Sequence, residues 1–148
     1  MCFSPQMDVA AGVVVGSVGV GALSRVERPH DVPLASLPVL FGAHQLTEAF
    51  VWWGLRGDVD ASTGHAALWL YVLFAFVALP VLAPMAVLFA EPDARRRRVM
   101  GRFTVLGAVV STVYCAALWQ GPVSATIRGH TWATGPVLLM ESCWPRSM

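Results

Sequence analysis

His44, Gln45, Thr47 and Glu48 stand within one helical turn of each other, inside a stretch from Val32 to Leu55 whose only other polar side chain is Ser36. An imidazole and a carboxylate four residues apart share a helix face, and three kinds of chemistry are open to them. Glu48 can act as a protonatable carboxyl whose ionisation is opposed by loss of water, with His44 as relay partner, an arrangement suited to coupling protons to a solute. Both side chains can reach one metal ion. Alternatively the group serves as interhelical hydrogen-bond glue. An ionisable side chain at the centre of a membrane helix costs on the order of 3 kcal/mol, and more where it faces lipid. The polar wedge must therefore face protein or a water-filled cavity.

Other chemistry-bearing residues are scattered. Removal of Met1 would leave Cys2 with a thiol and an amine together, able to attack a carbonyl or bind a soft metal. Cys2, Cys115 and Cys143 form no Cys-x-x-Cys pair, which argues against a zinc ribbon or a thioredoxin-like motif. A metal set of Cys2, Glu48 and His130 is topologically permitted, with Cys115 nearby. The chain has no Gly-x-Ser-x-Gly elbow, phosphate-binding glycine loop or His-Glu-x-x-His, so hydrolase and nucleotide-dependent classes gain no support.

The elements that must position these residues follow from composition. Of 148 residues, 56% are hydrophobic and 13% charged, and the mean hydropathy is +0.62, which points to a polytopic membrane protein. Spanning a bilayer takes about 20 mostly apolar residues. Four stretches qualify: 7–24, 32–55, 65–90 and 99–119. A fifth, partial span is allowed over 132–144. The all-α fold expected is thus a transmembrane helix bundle forming one domain. Gly12 and Gly16 match a small-xxx-small pattern, which suits packing against a neighbouring helix of the same chain or, less directly, a homo-oligomer or membrane-protein partner. Pro80 and Pro84 should bend the third span.

Every basic residue other than histidine is an arginine. Arg25 and Arg28 follow the first span, and Arg95 to Arg98 with Arg102 follow the third, so these loops share a side, expected to be cytoplasmic. The amino terminus is then expected outside, with Cys2, His65, Tyr71, Tyr114, Cys115 and His130 toward the outer face. The opening octet has no positive patch, so the first apolar segment is read as mature structure. The arginine run would meet anionic headgroups of the bilayer. Without interleaved aromatics it gives no nucleic-acid signature.

Met1-Cys2-Phe3-Ser4, the Leu40-Phe41-Gly42 leading into Gln45 and Glu48, Pro80 with Glu91-Pro92, and Ile127-Arg128-Gly129-His130 together resemble a family of small bacterial integral membrane proteins of unknown function. The resemblance covers the chain to about Trp132. It implies Cys2, Gln45, Glu48 and His130 as the positions to watch and brings no activity with it. At His44 the family pattern more often has glutamine, which favours Glu48 as the centre. Three functions are therefore carried forward. The first is an internal polar site around Glu48, open to the outer side, that binds or conducts a small solute, proton or metal ion. The second is an accessory subunit with the stripe as glue. The third is a membrane-embedded metal or redox enzyme using Cys2, Glu48 and His130.

Overall fold

A computed structural model describes residues 4–121, 123–128 and 131–136. Helix α1 (Pro5–Leu23) leads through a 3-10 turn at Pro29–Asp31 into α2 (Val32–Arg56). Helix α3 (Ala61–Val72), a π-helical stretch Leu73–Ala78 and α4 (Leu79–Ala90) form one continuous rod, and α5 (Ala94–Gln120) returns alongside it. A hairpin of β1 (Val123–Arg128) and β2 (Thr131–Pro136) follows. Three rods, Pro5–Leu23, Ala61–Ala90 and Ala94–Gln120, are long and apolar enough to cross a membrane, so the helical bundle is that of a membrane protein.

Helix α2 is the exception among the four spans expected. At 25 residues it is long enough, about 37 Å at ~1.5 Å per residue. Its polar stripe keeps it out of the set apolar enough to cross a membrane. It is also the most enclosed, packing on α1, α3 and α4 and burying Gly42, Glu48, Ala49, Val51 and Trp52. The helix least suited to lipid is the one the others shelter, as the cost of exposing its polar side chains requires.

Caps rather than hydropathy decide where the helices begin. Asp60 accepts from Thr63 N at 2.9 Å and starts α3 one turn before His65. Asp93 Oδ1 accepts from Arg95 N and Arg96 N, both at 2.9 Å, so Arg95 to Arg98 form the first turns of α5 instead of a loop. Proline is tolerated at the start of a helix because its missing donor is unneeded there, and Pro5 opens α1.

Close approaches of small residues lock the rods together. A methyl added at Gly42 would stand 2.7 Å from Gly12 O and from Gly16 Cα, and one at Gly19 would stand 2.5 Å from Val39 N. The small-xxx-small face of α1 thus lies against α2 of the same chain. Gly54 and Gly64 meet Cα to Cα across α2 and α3, and Gly107 of α5 presses on Pro80 O. Pro84, four residues on, has no N–H to offer that carbonyl. Nearby, Ser111 Oγ donates to Val77 O at 2.6 Å. Pro80 stands at the start of α4, directly after the π-helical stretch, and Pro84 lies inside α4.

The 3-10 turn Pro29–Asp31 contacts α4, so Arg25, Arg28 and the arginine run lie at one end of the bundle. The hairpin lies at the other, where β1 touches α2 and α3. Val51, Ala67, Leu68, Val72, Leu118 and Val123 form the core cluster there. Where a fifth span was allowed from Trp132, the chain is a strand as far as Pro136. Gly135-Pro136 explains this, since the residue before a proline is driven out of the helical region. The remainder of 132–144 lies outside the described residues.

Candidate functional site

The glycine contacts set the register that builds the site. Gly16 opposes Gly42, and Gly12 opposes Gly42 and Leu46, in an antiparallel pair. One turn before Gly12, Asp8 therefore falls level with Glu48. On the other side, Gly54 opposes Gly64, which brings Tyr71 to the same level of α2. Three helices converge on one layer.

Both acids in this layer are nearly sealed from solvent, Asp8 at 1% and Glu48 at 3% exposure. Tyr71, itself half-buried, lies within electrostatic reach of both carboxyl groups. The His44 ring stacks on Tyr71 with centroids 4.4 Å apart and planes inclined by 20°, and lies 4.7 Å from Phe74. Phe74 in turn meets Phe41 edge-on at 6.3 Å, closing the layer toward the arginine end. Phe74, the second ring against His44, belongs to the π-helical stretch; such stretches recur at functional sites.

Toward the hairpin end, His44, Glu48, Trp52 and Arg56 follow one another at four-residue intervals, a single stripe on α2. Trp52 is 3% exposed, and the Arg56 guanidinium lies 5.4 Å from its ring centroid. Glu48 is eight residues from Arg56, about 12 Å below that end of the helix. Among the described residues, Asp8 Oδ2, His44 Nδ1 and Trp52 Nε1 are buried without a hydrogen-bond partner. Buried polar atoms are normally satisfied, so three unsatisfied ones spread over about 12 Å of α2 and the facing turn of α1 are a departure from ordinary packing.

Of the residues singled out from sequence, His44 and Glu48 thus join the layer. Gln45 is half-buried and faces a cleft of about 470 Å³ between α1 and α2, shared with Asp8, Phe41 and Pro38. Thr47 Oγ1 donates to Ala43 O at 2.9 Å, which occupies it within its own helix. Cys2 and His130 lie outside the described residues. Cys115 is a free, exposed thiol on α5, and His65 Nε2 accepts from Trp69 Nε1 at 3.2 Å near the start of α3. Among the described residues no three of His, Cys, Asp and Glu stand together as metal ligands.

Asp8 and Tyr71 are the members that sequence reasoning missed. Asp8 is the one charged residue of α1, a signal that was present. Its place near a helix start makes it look like a headgroup-level acid, and only the α1–α2 register shows it to be buried. The polar residues of α2 here coincide with the stretch that carries the resemblance noted in the sequence, and residues 1–141 match a single family of unknown function. The chain belongs to that family, DUF6629. No curated protein and no solved structure matches it. Membership therefore places Asp8, Gln45 and Glu48 within one family domain without assigning any of them a role.

Proposed function

We propose that this member of DUF6629 is a multi-pass protein of a bacterial inner membrane, with its amino terminus outside, whose internal site centred on Glu48 binds a small cation, proton or metal ion, arriving from the hairpin end. The observation that carries the reading is the pair of nearly sealed acids, Asp8 and Glu48, brought by separate helices beside the phenol of Tyr71. Two carboxyl groups in one dehydrated layer are costly unless protons or cations neutralise them. Glue alone needs hydrogen-bonding groups and gains nothing from a second acid.

Access from the hairpin end is supported by the stripe from Trp52 to Arg56, whereas the Phe41–Phe74 contact closes the way toward the arginines. Orientation with that closed end in the cytoplasm is supported by the gathering of arginines there.

Glu48→Gln keeps the shape and the hydrogen-bonding capacity of the side chain and removes its charge. Reconstituted in vesicles carrying pH-sensitive and cation-sensitive dyes, the variant should fold and lose cation or proton uptake by at least about tenfold, the scale of a charge-assisted contact. Equal uptake by a folded Glu48→Gln would return the stripe to the role of glue.

A further inference from the structure

We infer that the ligand of this site is a proton, shared between the carboxyl groups of Asp8 and Glu48, which makes Asp8 a second proton-binding residue. The inference rests on the reading of the Glu48 site given above and names its ligand.

The helix register places Asp8 level with Glu48, and Tyr71 lies within electrostatic reach of both. Asp8 is 1% exposed, and its Oδ2 has no hydrogen-bond partner among the described residues. A carboxylate oxygen so placed is costly as an anion. It becomes tolerable when one proton serves two neighbouring acids, the usual solution for carboxylates forced into one site. Among the described residues the groups facing the pair are few. Helix α1 contributes Asp8, α2 contributes His44 and Glu48, and α3 contributes Tyr71; α4 carries no titratable residue at all, and Tyr114 of α5 stacks elsewhere, on Phe76.

These surroundings suit a proton better than a metal ion. The His44 ring is stacked between Tyr71 and Phe74, and no trio of His, Cys, Asp and Glu among the described residues stands close enough to hold a metal ion. Hydroxyl, imidazole and indole groups around a carboxyl pair are proton donors and relays, able to reorient as the charge changes. In the uptake step, hydronium at the hairpin end gives its proton to the carboxylate pair and leaves as water. The pair goes from two negative charges to one.

The test is infrared difference spectroscopy of the full-length protein in phosphatidylglycerol and phosphatidylcholine vesicles, followed across a pH titration in light and heavy water. Exposed carboxyls titrate near ~4, so a carboxylic-acid C=O band persisting toward neutral pH reports a buried acid. The wild type should show one such group per chain. Asp8→Asn and Glu48→Gln should each displace its midpoint by on the order of one pH unit or more, and the double variant should lose the band. Asp8→Glu, which keeps the carboxyl, should retain the coupled titration and so separates charge from misfolding. An Asp8→Asn protein with the band and midpoint unmoved would overturn the inference, even where Glu48→Gln still abolishes uptake and the site itself stands. Displacement of the band at constant pH by magnesium, calcium or zinc would overturn it as well, by making the ligand a metal.

Discussion

Adding one methyl at Gly42 is the sharpest structural test of how the site is assembled. In Gly42→Ala the new Cβ would stand 2.7 Å from Gly12 O, Gly16 Cα and Gly16 N. Non-bonded carbon contacts settle at roughly 3.5–4.0 Å, so the overlap approaches 1 Å at three backbone atoms together, none of which can rotate away as a side-chain end would. Helix α1 must retreat as a body. Overpacking of this kind costs about 1–3 kcal/mol, while alanine's better helix propensity returns at most ~1 kcal/mol. The steric term wins, and a net loss of about 1–2 kcal/mol lowers the ratio of folded to unfolded protein roughly 5- to 30-fold. Gly21→Ala is the matched control, since a methyl there meets nothing within 4 Å and only the propensity gain operates. Equilibrium unfolding of both variants in mild detergent should rank Gly42→Ala below wild type and Gly21→Ala level with it or above. Equal stability of the two variants would refute the claim that glycine contacts set the α1–α2 register, and with it the argument that brings Asp8 level with Glu48.

Two further outcomes follow from contacts elsewhere in the bundle. A methyl at Gly107 would overlap Pro80 O, a backbone atom, so Gly107→Ala should separate α5 from α4 and unfold more readily than Ser111→Ala; the latter loses one hydrogen bond to Val77 O and should cost about 1 kcal/mol by the same unfolding assay. At the start of α3, hydrogen bonds from Ser62 and Thr63 hold the Asp60 carboxyl well below the usual range. A depressed carboxyl contributes stability that is present above its unfolded pKa and is lost as pH falls through its folded one. The protection of the first-turn amides of α3, taken as the exchange rate relative to that of an unstructured amide at the same pH, should therefore hold steady from neutral pH down to about 4, fall below it, and show no such fall in Asp60→Asn.

How much of this was legible in the sequence depends on whether a feature belongs to one helix or to two. Glu48 was legible because burying a charge in an apolar stretch is a property of its own segment. The caps at Asp60 and Asp93 were legible in the same way, and attention to them rather than to hydropathy would have placed the starts of α3 and α5 correctly. The hairpin was partly legible: Val123, Ala125 and Ile127 alternate along β1, and Gly135-Pro136 interrupts the apolar run that suggested a helix. Asp8 and Tyr71 were not, because what places them with Glu48 is a pair of crossings, Gly12 and Gly16 with Gly42 and Gly54 with Gly64. A glycine in one helix says that something comes close without saying which residue or at what height. The same distinction explains α2. Judged alone it is not among the helices apolar enough to cross a membrane. Judged with its neighbours, that deficit is the reason it occupies the centre: lipid would penalise its polar stripe, whereas α1, α3 and α4 cover it and leave Glu48 3% exposed.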